Sequence, residues 1–506
     1  MEEPQKTILD LVNGIVIDYF ARYEIEHFSP ITTLRPDDIE LGVFSSQEEK
    51  LESWRDIIRE ELINTSIIKT RTQYLKFIDT GDEWVINLIA SCINSLLNQN
   101  LTAHLTDSPS ATLYEISTLF FFRKAIGYQC NKFKTLRDVG GYYVSGGMMG
   151  NMAALLIARN KKYPDAQLKG IGSVTDKIIV PAFSTHYSNW NVAGWLGFGE
   201  GSVIHAPSKN FSYDIKQLER IVDDLYEKGG SVLMITASLG DPYTMSIETN
   251  LQDIRRLCDK YNIWMHGDGA NGAVLKLSTL YHNRSSGFEL CDSITIDPHK
   301  ALGLNYPTSL FLCRNITYFN SVISNWNIIN RPDSLDMGMI TPFLNSRGFD
   351  SLRIWLALRL IGKEYFSNAI DAKISTTEFL FNTCASSQYF IRWNIPQSFA
   401  FVFQVMPRKI HLEIIKDKVI SEEVGKKISN IQREFMGWIE NMHGIGFHYF
   451  DLPYLSRYYN DITISNSNMM TTVIALHNGH KDIDGSFPDL IRQSIDTFCR
   501  DWSGND

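Results

Sequence analysis

Apolar residues recur at intervals of three and four from Ile8 to about Asp107, as in Ile86-Asn87-Leu88-Ile89-Ala90-Ser91-Cys92-Ile93-Asn94-Ser95-Leu96-Leu97. That is the spacing of amphipathic helices, and it predicts a helical arm over residues 1–107. Such an arm cannot bury both faces against itself. Ser108-Pro109 then supplies an N-cap and a first-turn proline for a helix running toward Gly127. Between about Ser110 and Gly362, short β-rich runs alternate with helical stretches. The runs are Lys177 to Pro181, Val203 to Ala206, Ser231 to Thr236, Ile263 to His266, Ser293 to Ile296 and Ser309 to Cys313. This alternation predicts an α/β fold with a mostly parallel sheet, covered on both faces, in a large domain over residues 108–362. After Leu360-Ile361-Gly362 the pattern changes. A strand-like Phe399 to Val405, a helix from about Ser421, a strand at Thr471 to Leu476 and a closing helix near Phe487 to Phe498 predict a small C-terminal α/β domain over 363–506. Met442-His443-Gly444 reads as a loop.

A chain of 506 residues exceeds one ordinary core. Its 44% hydrophobic and 21% charged residues exclude a disordered chain. The net charge of -9 argues against nucleic acid and anionic membrane as partners, because both select for basic patches. No apolar run is long enough to span a bilayer, and Leu119-Phe120-Phe121-Phe122 is closed by Arg123 and Lys124. Met1-Glu2-Glu3-Pro4-Gln5-Lys6 carries acids where a targeting signal would carry positive charge. Seven cysteines without a Cys-x-x-Cys pair provide neither a disulfide framework nor a metal knuckle. Reduced thiols in the cytoplasm are the simplest reading, and a small molecule is the expected partner.

Four stretches carry candidate chemistry. Cys291-Asp292-Ser293-Ile294-Thr295-Ile296-Asp297-Pro298-His299-Lys300 reads as a buried strand ending in a proline-fixed turn that presents Lys300, an amine suited to a Schiff base with an aldehyde. Ile263-Trp264-Met265-His266-Gly267-Asp268-Gly269-Ala270 holds Asp268 at a strand end between small residues, where a carboxylate can keep a pyridinium proton in place and a flat ring has room. Tyr143-Val144-Ser145-Gly146-Gly147-Met148-Met149-Gly150-Asn151 is a glycine turn opening a helix, hence a phosphate site or a simple turn. His186 follows the apolar Ile178-Ile179-Val180 in a polar loop, where an imidazole can stack on a ring and exchange protons near neutral pH. His186, Asp268 and Lys300 all come shortly after predicted strands, where ligands of parallel sheets sit.

In their order and spacing these stretches resemble the group II pyridoxal-phosphate-dependent amino-acid decarboxylases, the set that includes the glutamate and aromatic amino-acid enzymes. The likeness also takes in a segment near Leu11 to Phe44, Ser108-Pro109-Ser110-Ala111-Thr112 and Ser346-Arg347-Gly348-Phe349-Asp350-Ser351-Leu352-Arg353-Ile354-Trp355. The resemblance implies a fold-type I homodimer that binds pyridoxal 5'-phosphate, holds no metal and decarboxylates an L-amino acid. It makes Lys300 the Schiff-base lysine, Asp268 the partner of the ring nitrogen and His186 the histidine on one ring face, with Ala270 on the other. Gly147, Met148 and Met149 would give N–H groups to the phosphate, with His299 and Asp297 near the same group.

The chain also departs from the family pattern. Met148 stands where a Ser or Thr is usual, Gly240-Asp241-Pro242 where Gly-Thr-Thr is usual, and Ile328 to Asn345 contains neither the usual Tyr nor a His. Aldehyde-forming or other carbanion chemistry, or a cofactor-binding pseudoenzyme, are therefore alternatives to amine formation. Arg71 and Lys76 are either substrate-facing cations or solvated ones.

Overall fold

The computed structural model describes residues 3–24, 55–56, 58–130, 132–182, 185–322, 335–417, 420–453, 458–459, 462–463 and 470–502. Of the segments read above, residues 1–2, 25–54 and 57 of the arm, 131, 183–184 and 323–334 of the large domain, and 418–419, 454–457, 460–461, 464–469 and 503–506 of the small one lie outside this set. In the arm, helices α1 (Glu3–Glu24) and α2 (Trp84–Leu97) are joined by elements that include a two-residue strand, Tyr74–Leu75. The arm is therefore not wholly helical. Tyr74–Leu75 pairs in parallel with a strand near the other end of the chain, a contact that no local pattern announces. Helix α3 (Pro109–Ile126) starts at the expected proline and ends at Gly127, whose φ of 93° supplies the left-handed C-cap. Ser108 occupies the N-cap position, but its side chain makes no capping bond. Its hydroxyl instead donates to Ala103 O at 3.1 Å and meets Thr112 Oγ1 at 3.0 Å.

The large sheet is built from β1 (Gly141–Val144), β2 (Lys177–Pro181), β3 (Val203–Ala206), β4 (Val232–Ser238), β5 (Trp264–Gly269), β6 (Ser293–Ile296) and β7 (Ser309–Cys313), in the order β1-β7-β6-β5-β4-β2-β3. Strands β2 to β6 pair in parallel. Strand β7 runs antiparallel to both β6 and β1, so the sheet is mixed at this edge. Strands β4 and β6 are buried along their whole length, as expected of runs covered on both faces, and β5 is buried except at Asp268. Helix α4 (Gly147–Lys162) follows β1 and packs across β6 and β7. It lies so close that a Cβ on Gly150 would sit 2.5 Å from Thr295 Oγ1. Helix α5 (Ser188–Trp195) follows β2, and the short α6 (Pro298–Ala301) follows β6.

After Gly362 the long α7 (Lys363–Ala385) leads to β8 (Phe390–Arg392), β9 (Ala400–Val405), α8 (Glu422–His443), β10 (Gly446–Pro453) and β11 (Met470–His477). These strands form a second sheet in the order Tyr74–Leu75, β10, β11, β9, β8, over its own apolar cluster of residues such as Phe401, Phe435 and Ile491. Met442-His443-Gly444 is the end of α8, where Gly444 (φ 63°) closes the helix. Among the described residues no helix is long and apolar enough to cross a membrane.

Candidate active site

The carboxyl ends of β4, β5 and β6 and the start of α4 surround a cavity of about 230 Å³. Gly147, Met148, His186, Asp268, Ala270, Asp297, His299 and Lys300 all line it. Met149 does not: its N–H bonds back to Gly146 O at 3.0 Å within the first turn of α4. Gly146 lines the cavity in its place. Because α4 begins at Gly147, the N–H groups of Gly147 and Met148 have no intrahelical partner and sit at the positive end of the helix.

Asp268 ends a directional chain of hydrogen bonds. Asn151 Nδ2 donates to Asp268 Oδ2 at 2.9 Å, which turns Asn151 Oδ1, an acceptor only, toward His266 Nε2 at 2.9 Å, so His266 carries its proton on Nε2. The Nδ1 of the neutral ring then accepts from the Ser293 hydroxyl at 2.9 Å, whose oxygen accepts from Trp264 Nε1–H at 2.9 Å. Thr295 Oγ1 donates to the same Asn151 oxygen at 3.1 Å, and Asn151 Nδ2 also donates to Ser188 Oγ at 3.0 Å. Full burial pushes the His266 pKa down to about 4, so the ring remains the neutral relay this chain requires. The other oxygen, Asp268 Oδ1, accepts from Ala270 N–H at 3.4 Å. Asn151 and His266 are site residues that motif reading missed.

His186 lies on the loop between β2 and α5. Ser188 N–H donates to its Nδ1 at 3.2 Å, so the neutral ring carries its proton on Nε2. Burial lowers its pKa, and Asp268 and Asp297 oppose that while Lys300 adds to it. Tyr187 packs on the ring with centroids 4.2 Å apart. Lys300 Nζ stands 3.3 Å from Asp297 Oδ2, Asp297 being the N-cap of α6 and Lys300 lying three residues further on. His299 Nδ1 faces Thr308 O at 3.0 Å, an acceptor only, so Nδ1 carries the hydrogen; its Nε2 faces Asp297 Oδ2 at 3.8 Å. Asp297 is 2% exposed, and its Oδ1 is buried without a hydrogen-bond partner.

Gly240, Asp241 and Pro242 line the opposite wall. Asp241 offers no hydroxyl to the cavity; it is buried and accepts from the N–H groups of Tyr243, Thr244 and Ser246. Arg347, from the Arg-rich stretch, is not at the cavity. It pairs through both terminal nitrogens with Glu115, which is fully buried in α3. Arg71 donates to Tyr23 O, and Lys76 pairs with Glu440 at 3.6 Å; neither lines the cavity.

The donor set suits a flat, phosphate-bearing aldehyde. Two free N–H groups lie at a helix start, a carboxylate is held at a strand end beside Ala270, and a partly exposed amine and a neutral imidazole face the same space. Residues 38–404 match the family model described as the pyridoxal-dependent decarboxylase conserved domain. L-2,4-Diaminobutyrate decarboxylase from Acinetobacter baumannii is 26% identical over 349 residues, covering 65% of this chain and 67% of that protein. The crystal structure of mouse CSAD superposes with a TM-score of 0.82 at 19% identity, covering 99% of this chain and 100% of that one. Catharanthus roseus tryptophan decarboxylase superposes with a TM-score of 0.78 at 14% identity, covering 99% of each chain. These structural likenesses carry the fold, that of fold-type I pyridoxal-phosphate enzymes.

Proposed function

Because this chain belongs to the family of pyridoxal-dependent decarboxylases, we propose that it removes the α-carboxyl group of an L-amino acid to give the amine and carbon dioxide, with Lys300, Asp268 and His186 as its working groups. What supports this assignment is the meeting of an amine, a carboxylate and an imidazole from three separate segments around one cavity. Bound pyridoxal 5'-phosphate supplies a conjugated ring that accepts the electron pair left when the bond to the carboxyl group breaks. Lys300 would hold the cofactor through its amine, and the N–H groups of Gly147 and Met148 would hold its phosphate. Asp268, fixed by Asn151, would keep a proton on the ring nitrogen. Ala270 and His186 would flank the ring. With Nδ1 occupied by Ser188 N–H, His186 has its Nε2–H available as a proton donor at the α-carbon.

The test is the visible spectrum of the purified protein and of Lys300→Ala, followed by a carbon dioxide release screen over an amino-acid panel. An absorption band that Lys300→Ala abolishes, with carbon dioxide released from at least one amino acid, is expected. A colourless protein that takes up no added cofactor would sink the proposal.

One sequence feature favours a second reading, formation of an aldehyde: Ile328 to Asn345 contains no Tyr and no His to return a proton to the α-carbon. Assaying aldehyde, ammonia and peroxide beside amine separates the two, and amine as sole product removes the second. We also propose a homodimer, because α2 leaves Trp84, Val85, Leu88, Ile89, Leu96 and Leu97 exposed on an apolar surface that a second copy would cover. Seven free cysteines fit a reducing, cytoplasmic setting.

A further inference from the structure

The cavity wall that would receive a phosphate already contains a carboxylate. A Cβ on Gly147 would lie 2.9 Å from Asp297 Oδ2, so Asp297 stands directly against the glycine turn whose N–H groups point outward. Its Oδ1 is buried and unpartnered, and Asp297 lines the cavity. An anion bound on the Gly147 and Met148 amides is thus brought beside a second anion that is itself buried. Met148 has no hydroxyl to place between them. Like charges so placed do not both persist: one proton enters the set.

The structure also shows a place for that proton. His299 Nδ1–H is committed to Thr308 O, with Ser309 Oγ at 3.1 Å, which leaves Nε2 as a bare lone pair turned toward Asp297. A lone pair facing a carboxylate is a mismatch that one proton converts into an ion pair. The other charged or titratable groups around His299 are Lys300, beside Asp297, and Asp79, which is reached through Tyr306. The Tyr306 ring lies 4.1 Å from the imidazole and its hydroxyl donates to Asp79 at 2.9 Å. Burial and Lys300 hold His299 neutral before the anion arrives, whereas Asp297 and Asp79 favour its charge.

We propose that His299 and Asp297 form a proton-coupled phosphate clamp: when the cofactor phosphate binds, His299 Nε2 takes one proton from solvent and bridges to Asp297. This rests on the cofactor reading above. The test measures dissociation constants for pyridoxal 5'-phosphate and for pyridoxal, which lacks the phosphate, between pH 7.5 and 8.5. Calorimetry in two buffers of different ionisation heat counts the protons exchanged. Both ligands engage Lys300 alike, so their difference isolates the phosphate.

Proton uptake predicts that affinity for the phosphorylated ligand falls about tenfold per pH unit more steeply than affinity for pyridoxal, with about one extra proton taken up. Asp297→Asn and His299→Gln are each expected to remove that difference while still binding pyridoxal, which shows that they fold. Equal slopes for the two ligands in the wild type, or a difference that survives in either variant, would overturn the clamp. If neither ligand binds, the cofactor reading itself fails, an outcome distinct from equal slopes.

Discussion

Asn151→Ala tests whether the hydrogen-bond chain beneath the cavity exists to place Asp268. The substitution removes the Nδ2–H that Asp268 Oδ2 accepts at 2.9 Å and leaves His266 Nε2–H and the Thr295 hydroxyl without their shared acceptor. A hydrogen bond to a charged group is worth about 1.5–3 kcal/mol, and a buried donor left unpaired costs about 1–3 kcal/mol. Only the first touches Asp268, the proposed partner of the ring nitrogen, and its loss corresponds to a drop in cofactor affinity of about tenfold or more. Ser293→Ala is the control: it cuts the same chain two links earlier, at the Trp264 and His266 contacts, without touching Asp268. Thermal melts and cofactor titrations of both variants are the assay. Both should melt earlier than wild type, and only Asn151→Ala should lose affinity by tenfold. If both variants shift affinity equally, or Asn151→Ala leaves it unchanged, Asn151 serves the core and not Asp268.

Glu115→Gln should be severe although it lies outside the cavity, because it strands the buried Arg347; breaking such a pair from one side costs about 3–5 kcal/mol, readable as a shift in urea midpoint at constant slope. Charge on the apolar surface of α2, as Leu88→Glu with Leu96→Glu, should convert a dimer into monomers in light scattering, and an unchanged mass would remove that surface from the interface. Acid should destabilise the fold well before the carboxylates as a class titrate. His266, His477 and His480 are held neutral in the fold by burial, with pKa values of about 4, whereas in the unfolded chain they protonate as pH falls through the usual histidine range. The unfolded chain therefore binds more protons, and stability falls from about pH 6.5 toward pH 4. Asp350, pushed up to about 6 by burial, acts in the opposite sense over part of that window. Near pH 5 these four groups together leave a slope of about 2.4 kcal/mol per pH unit, which urea unfolding across pH would register.

The strands that could be read directly are those whose side chains alone demand them. Lys177–Pro181, Val203–Ala206, Ser293–Ile296 and Ser309–Cys313 begin and end where their β-branched and apolar runs do. Gly141–Val144 escaped because a glycine and two tyrosines form a strand only once β7 lies beside them. Tyr74–Leu75 escaped because two residues carry no period. In the site, residues at turns and strand ends stood out by their neighbours, whereas Asn151 lies inside a helix and His266 inside a strand. A signal was present in both cases. Asparagine is a poor residue for a helix interior, and a histidine in an otherwise apolar buried strand needs partners for both nitrogens.

Three aspartates line one cavity, and their hydrogen bonds assign them different work. Asp241 accepts three backbone N–H groups and the Thr244 hydroxyl, so its capacity is spent on holding its own loop. Asp268 has one strong donor behind it and lies at the end of a relay whose proton positions are all determined, which leaves its remaining valence directed into the cavity. Asp297 has the least: a lysine at 3.3 Å, a histidine lone pair at 3.8 Å and one oxygen with no partner. A buried polar atom left unmatched is costly unless something arrives to match it. The same side-chain chemistry therefore serves as a loop staple at Asp241, and under the proposals above would serve as the fixed partner of a ring nitrogen at Asp268 and as the group whose charge balance changes on ligand binding at Asp297. Environment, and not residue type, separates these roles. It follows that Asp→Asn substitutions at the three positions should differ in kind, with Asp241→Asn lowering stability, Asp268→Asn weakening cofactor binding at every pH, and Asp297→Asn changing chiefly how that binding depends on pH.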